Sequence, residues 1–370
     1  MHSVELYLKR LLLSFIGLFR SGSHLAPPRL PIDSIGRILI IRQHDQLGDL
    51  LIATPAIRAV RKRFPNAHIA VVAREYTAPI LAHNPYVDDV IIFYEKLWRW
   101  NLNRALEFWK SIRNGFDCAI VLNTISRSFS SDLIALLSGA KFIVGPDHLS
   151  LNGLNREVIY NVIVPRSPIV KHEIERNIDI VRALGADEND FEYDFVLTDG
   201  EVERAEEIYQ SLSIAPDKKV VGIHFGALNP SKCFPLEKLA VVIDWIVDEF
   251  GCEILLIIGP NEVERKEFLL TNLHHVVRSA PIMPLRIMAA LIRHCSLIIC
   301  NDTGTLHIAA SQKIPTISFH SLSDPSIWKP PHTRHIAVRA EDKRIDSITV
   351  AQVQTAVRKA MKAFVKKSKG

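Results

Sequence analysis

Four stretches of the chain set a chemistry-bearing side chain where a turn could aim it. In RQHDQLGDLLIATPAIRAVRKRFP, residues 42–65, the apolar run Ile38-Leu39-Ile40-Ile41 gives way to Gly48-Asp49 at a turn and then to a helical pattern. A carboxylate there sits at the carboxyl edge of a strand, where open α/β sheets bind ligands, and it can act as a general base towards a substrate hydroxyl. It can also be a first-turn acid held by the helix dipole, and Asp45 competes with Asp49 for either role. In GIHFGALNPSKCFPLEKLA, residues 222–240, a strand runs through Gly226 into a loop of small residues that carries Lys232, a point charge suited to a phosphate leaving group. In IICNDTGTLHIAAS, residues 298–311, a buried strand ends at Asp302, and the amides and hydroxyls of Thr303, Gly304 and Thr305 open a helix, the ordinary setting for an anion or for a simple cap. In IIGPNEVERKEF, residues 257–268, Glu262 and Glu264 follow another strand, where a carboxylate can hold ribose hydroxyls or serve as a solvated first-turn acid.

The rest of the inventory narrows the chemistry. There is no G-x-G-x-x-G and no G-x-x-x-x-G-K-[ST], which argues against nicotinamide and P-loop chemistry. No D-x-D pair offers a divalent ion to a diphosphate, and no Cys/His group has zinc spacing, so neither metal nor cofactor is expected. His44, His224, His307 and His320 lie near expected strand ends or one turn into a helix, positions that suit substrate contact or plain packing.

Those residues need a scaffold, and 370 residues with 48% hydrophobic content can fill two cores. Lys plus Arg at 45 against Asp plus Glu at 40 gives a mild +5, which does not call for nucleic acid but suits a phosphate-bearing ligand or an anionic lipid surface. Five cysteines without a C-x-x-C pair fit reduced thiols and a cytoplasmic setting. Short apolar runs at 37–42, 68–73, 89–94, 117–123, 141–145 and 158–164 alternate with helical patterns, and a second series follows at 219–224, 253–258, 275–278, 296–300 and 316–319. Such alternation predicts parallel sheets covered on both faces. HEIERNIDIVRALG, residues 172–185, reads as a helix stopped by Gly185, and DEND beyond it as a loop at the domain boundary. The expected divisions are 1–31, 32–190, 191–340 and 341–370. The first holds an amphipathic helix whose uncharged stretch is far short of the ~20 residues that span a bilayer, followed by a breaker-rich linker. The last opens with the capping box Thr349-x-x-Gln352.

Taken together and in order, ILIIRQHDQLGDLLIATPAIRAVRKRFPNAHIAVVA, HFGALNPSKCFPLEKLA, IIGPNEVE and NDTGTLHIAASQKIPTISFHSLSDPSIWKP resemble glycosyltransferase family 9, the ADP-heptose:lipopolysaccharide heptosyltransferases, over roughly residues 37–330. The resemblance implies a GT-B architecture: two Rossmann-like parallel-sheet domains facing across a cleft, with the C-terminal helix returning to the N-terminal, acceptor domain. It implies Asp49 as the catalytic base of an inverting transfer, with Gly48, His44 and Asp45 on the acceptor side. Lys232 would meet the nucleotide diphosphate, and Asp302, Thr303, Gly304, Thr305, His307, Gly226 and one of Glu262 and Glu264 would line the donor. The implied partners are a nucleotide sugar, ADP-heptose first, and a lipid-linked saccharide. The amphipathic pattern of the N-terminal helix fits an anchor resting on the inner face of the cytoplasmic membrane, or a helix packed on the protein itself. A GT-B protein that binds a nucleotide sugar without turnover, or one that uses a different nucleotide sugar, is the alternative.

Overall fold

A computed structural model describes residues 32–43, 45–147 and 159–364. The expected N-terminal helix and its linker, and His44, lie outside the described residues. The chain forms two compact units that divide between Asp194 and Phe195.

In the first unit β1 (Arg37–Ile41), β2 (His68–Arg74), β3 (Asp89–Phe93), β4 (Cys118–Val121), β5 (Phe142–Asp147) and β6 (Val162–Pro165) form one sheet in the order β3-β2-β1-β4-β5-β6, and every pairing is parallel. Ile38 to Ile41 are wholly buried, as an unbroken apolar run must be when helices cover both faces of its sheet. The main helices are α1 (Leu47–Arg63), α2 (Leu102–Ile112), α3 (Phe129–Leu137) and α4 (Glu173–Arg182). Leu39, Ile41, Ala70, Val72, Phe116 and Ile143 make the core on one face, and α1 packs along α4.

The second unit contains β7 (Val220–His224), β8 (Glu253–Leu256), β9 (Arg278–Ser279), β10 (Leu297–Asn301), β11 (Thr316–His320) and β12 (His335–Arg339), in the order β12-β11-β10-β7-β8-β9 and again parallel. Counted from its own first strand, this is the strand order of the first unit. Its helices are α5 (Asp199–Ser211), α6 (Leu236–Phe250), α7 (Val263–Thr271), α8 (Leu285–Ile292), α9 (Gly304–Ser311), α10 (Pro325–Trp328) and α11 (Val350–Ala363).

The last helix, α11, forms its capping box between Thr349 and Gln352, and Val353, Val357, Ala360 and Met361 are buried with residues of α6 and β11. The two units divide at 194, four residues beyond the DEND loop, which is clasped by α1. Arg58, buried in α1, pairs through Nε with Glu188 at 2.8 Å and through Nη1 with Asp194 at 2.7 Å, Lys62 Nζ reaches Glu188 at 2.7 Å, and the Asp194 amide donates to Thr54 Oγ1 at 3.0 Å. A segment of acids held this way belongs to the unit that supplies the cations.

Arg58→Met would leave these carboxylates without their buried cation, and the loss should be about 3–5 kcal/mol in urea unfolding. Lys62→Ala, whose ammonium is 56% exposed, should cost under ~1 kcal/mol in the same measurement.

Candidate active site

In a doubly wound sheet the crossovers diverge where the strand order reverses, and the crevice beyond those strand ends is where ligands bind. In the first unit the reversal is at β1 and β4. In the second it is at β7 and β10. The residues singled out from the sequence fall largely on these two points, and each is described within its own unit.

Beyond β1 the chain keeps Arg42 and Asp45 at 3% and 6% exposure. Arg42 donates to the Leu122 carbonyl just past β4, pairs with Asp45, and reaches the Asp49 carbonyl at 3.3 Å. The helix starts at Leu47, so Gly48 and Asp49 lie in its first turn, not in a turn ahead of it. Asp49 is half-buried, and its Oδ2 accepts the Gln46 amide at 3.1 Å. It is therefore a first-turn acid that caps the helix with one oxygen. Asp45 lies beneath the surface: burial pushes its carboxyl up to about 8 against the pull of Arg42, and the Asp49 charge adds to the rise.

A third carboxyl, missed in the sequence, completes this group. Glu173, the first residue of α4, is fully buried. It accepts from Thr124 Oγ1 beyond β4, pairs with Arg176 Nη1 at 2.7 Å, and senses the charges of Arg42 and Asp49. Burial raises it to about 7 despite Arg176 and Arg42. A charged residue in the first turn of an amphipathic helix reads as solvated, and only the fold shows that this end of α4 points at the switch point. The spacing Glu173-x-x-Arg176 was the available signal.

At the second unit's switch point Asn301, 1% exposed, is the joint. Its Oδ1 accepts the Phe234 amide at 2.9 Å and its Nδ2 donates to the carbonyls of Phe225 at 2.9 Å and Gly226 at 3.3 Å. One side chain thus fastens the loop after β7 and the turn that carries Lys232 to the end of β10. Lys232, whose side chain is 40% exposed, places Nζ 3.2 Å from Asp302 Oδ2, which also accepts from Ser323 Oγ at 2.6 Å. Burial opposes ionisation of Asp302, but the Ser323 hydroxyl and Lys232 help to hold the carboxyl below the usual aspartate range. His320 is fully buried, bonded to Ser318 Oγ at 2.8 Å, and pushed down to about 4 chiefly by burial, so it is neutral at ordinary pH. Thr303 is the N-cap residue of α9, and Gly304 and Thr305 follow as its first helical residues. The opening N–H groups of such a helix have no intrahelical acceptor. His307 is 4% exposed on the same helix.

The structure separates the two glutamates. Glu264 is exposed in the first turn of α7. Glu262 turns back over the strand ends: its Oε2 accepts the Gly259 amide at 2.8 Å and stands 3.7 Å from His224 Nδ1, which bonds the Ile257 carbonyl at 2.9 Å. Gly226 is what admits it, since a Cβ there would come within 1.4 Å of Glu262 Oε1. The glycine in that loop is explained by this approach of a side chain.

Two such units in one chain, with carboxylates at one switch point and a lysine, a helix N-terminus and an acid at the other, define an α/β protein of the GT-B class. The description of glycosyltransferase family 9 (heptosyltransferase) matches residues 105–354, and the chain belongs to that family; it is a glycosyltransferase. It is 26% identical over 301 residues to lipopolysaccharide heptosyltransferase 3 of Escherichia coli, covering 76% of this chain and 82% of that one. Among solved structures it shares the fold of a family 9 glycosyl transferase from Veillonella parvula, with a TM-score of 0.75, 21% identity and coverage of 91% and 98% of the two chains. The fold is shared likewise with the E. coli ADP-heptose lipopolysaccharide heptosyltransferase II, at a TM-score of 0.69, 21% identity and coverage of 88% and 98%.

A folded-state value above the unfolded one means that the folded chain binds the proton more tightly. The contribution of Asp45 to stability is then complete below its ordinary 3.8 and is lost as pH rises to about 8. Asp45→Asn should therefore gain stability relative to the parent steadily between pH 4 and pH 8 and level off above, read from urea midpoints across that range; Glu173 titrates in both proteins and cancels.

Proposed function

We propose that this glycosyltransferase moves a heptose from ADP-heptose to a saccharide of the lipopolysaccharide core, by direct displacement with inversion and without a metal ion. In this reading Asp49 takes the proton from the acceptor hydroxyl as it attacks the anomeric carbon, and the nucleoside diphosphate leaves. The electron pair of the breaking C–O bond goes to the diphosphate oxygen, whose charge is met by Lys232 and by the amides of Thr303, Gly304 and Thr305. Glu262 holds the ribose hydroxyls, Asp302 orients Lys232 and lies by the donor sugar, and Gly226 keeps the space that Glu262 needs. Gly48 lets an acceptor approach the first turn of α1, and Asp45 supports that turn from below.

The observation that carries this reading is the division of chemistry between the switch points: half-buried Asp49 at one, and Lys232 beside a helix N-terminus at the other. Support for the sugar comes from family membership, and support for ADP from the likeness to the E. coli ADP-heptose lipopolysaccharide heptosyltransferase II. A second reading has its own observation: Asp49 Oδ2 already caps Gln46, and a purely structural acid would do the same.

Thermal-shift measurements with ADP-, UDP-, GDP- and CMP-linked sugars, followed by product analysis with the best donor, test the donor; ADP-heptose should give the largest shift, and a clear UDP or GDP preference would reject it. Asp49→Asn, which keeps an oxygen for the Gln46 amide, should lower kcat by about 10²–10⁴-fold with donor affinity unchanged. Lys232→Ala should weaken donor binding by roughly tenfold or more, about 1.4 kcal/mol. If Asp49→Asn leaves kcat intact, the structural reading of that acid holds.

A further inference from the structure

The α2 helix and the turn before it put apolar surface on the outside. Phe93, Trp100 and Phe108 meet edge to face, with Trp100 5.8 Å from Phe93 and 5.3 Å from Phe108, and Trp100 Nε1 donates to the Tyr94 carbonyl at 2.7 Å. Phe108 and Ile112 turn to the core. These contacts hold the segment in place, yet Leu97, Trp98 and Leu102 are 89%, 73% and 74% exposed, and Leu106 and Trp109 are 47% and 41% exposed. Leu102, Leu106 and Trp109 follow the i, i+4, i+7 rhythm of a single helical stripe, so α2 has one apolar face packed and a second one bare. Bare apolar residues that are contiguous and backed by a fixed platform mark an interaction surface.

The charges say what would cover it. Lys96 and Arg99 stand over the Trp98 ring at 5.7 and 5.5 Å, and Arg113 over Trp109 at 5.1 Å. Residues 95–113 carry five basic side chains, Lys96, Arg99, Arg104, Lys110 and Arg113, against two acids, Glu95 and Glu107. Protein interfaces tend to exclude lysine from their apolar centre. Tryptophan and leucine ringed by basic groups instead fit the boundary layer of an anionic bilayer, where rings sit at headgroup level and cations meet phosphate.

We infer that the turn 96–101 and the exposed stripe of α2 form a docking surface for an anionic lipid bilayer. The turn follows β3, so it lies at the carboxyl edge of the sheet that presents Asp49, two strands from β1, or about 10 Å in the plane of the sheet. A lipid-linked acceptor would then be met at the membrane by the same edge that holds the proposed base. The inference rests on exposure and charge, and only this last consequence rests on the proposed function.

The full chain is mixed with vesicles of phosphatidylcholine containing 30% phosphatidylglycerol or of phosphatidylcholine alone, and binding is read by co-sedimentation and by tryptophan emission. The anionic vesicles should bind it and shift the emission to the blue. Trp98→Ser combined with Leu102→Ser, both at exposed sites, should lower the partition coefficient at least tenfold with an unchanged melting temperature, and Lys96→Glu with Arg113→Glu should remove the preference for anionic lipid. Binding that persists undiminished in the Trp98/Leu102 variant would overturn the inference and assign any membrane affinity to another segment. Absence of binding, equal binding to neutral vesicles, or a wild-type dimer that the same variant makes monomeric in sedimentation velocity would overturn it as well. Transfer to a delipidated, soluble acceptor, measured in parallel, reports on the proposed function separately, and the Trp98/Leu102 variant should retain it.

Discussion

A parallel sheet gathers the carboxyl ends of all its strands on one edge, and when its strand order reverses, the connections on either side of the reversal leave in opposite directions. The gap between them is covered by neither helix layer. Both units meet this constraint between the third and fourth strands in sheet position, β1 against β4 and β10 against β7. A chain that leaves a gap there must satisfy the backbone and side-chain polar groups around it, and what each unit does with those groups is the main difference between them.

The second unit satisfies them with one neutral amide. Asn301 has two donors and an acceptor to spend, and all are spent on backbone: Phe225, Gly226 and Phe234. A charged residue could not do this without a counter-ion at 1% exposure, and an aliphatic one would leave three backbone groups unpaired. Because the joint is neutral, the nearby charges, Lys232 and Asp302, remain available at the rim. His320 contributes a neutral ring held by Ser318 and Ser323. Gly226 is tied to the same joint through its carbonyl while giving up its side chain to make room for Glu262.

Much of this was legible in the sequence, and what was missed shares a cause. The eleven expected strands are present because buried parallel strands are unbroken apolar runs, which need no partner to be recognised. The twelfth, HIAVR at β12, is an edge strand, only partly buried and carrying His335 and Arg339, so it lacks the unbroken apolar run that marks the others. Gly185 does adopt the left-handed backbone, φ 72°, just after α4. The choice between Glu262 and Glu264 could not be read, since two residues apart in a first turn they differ only in which way the helix faces. The roles of Glu173, Asn301 and Arg58 are not legible for a related reason: each has a partner 49 to 136 positions away in the chain, and local spacing does not reveal those long-range partners. The amphipathic rhythm of α11 is legible as well, and its stripe is buried.

The first unit satisfies its gap with ions. Around the end of β1 stand three carboxyls, Asp45, Asp49 and Glu173, with three guanidiniums, Arg42, Arg74 and Arg176. The cations do not offset the burial of the two deeper carboxyls, since taking a charge out of water costs more than its partners return. Asp45, pushed up to about 8, keeps its proton through neutrality. Glu173, at about 7, is held at the point where it gives or takes one readily. Asp49 is the most exposed of the three and sits in the first turn of α1. Burial thus sorts the group by depth: the two carboxyls beneath the surface are raised to neutrality or above, while Asp49 stands nearer the solvent in the first turn of α1.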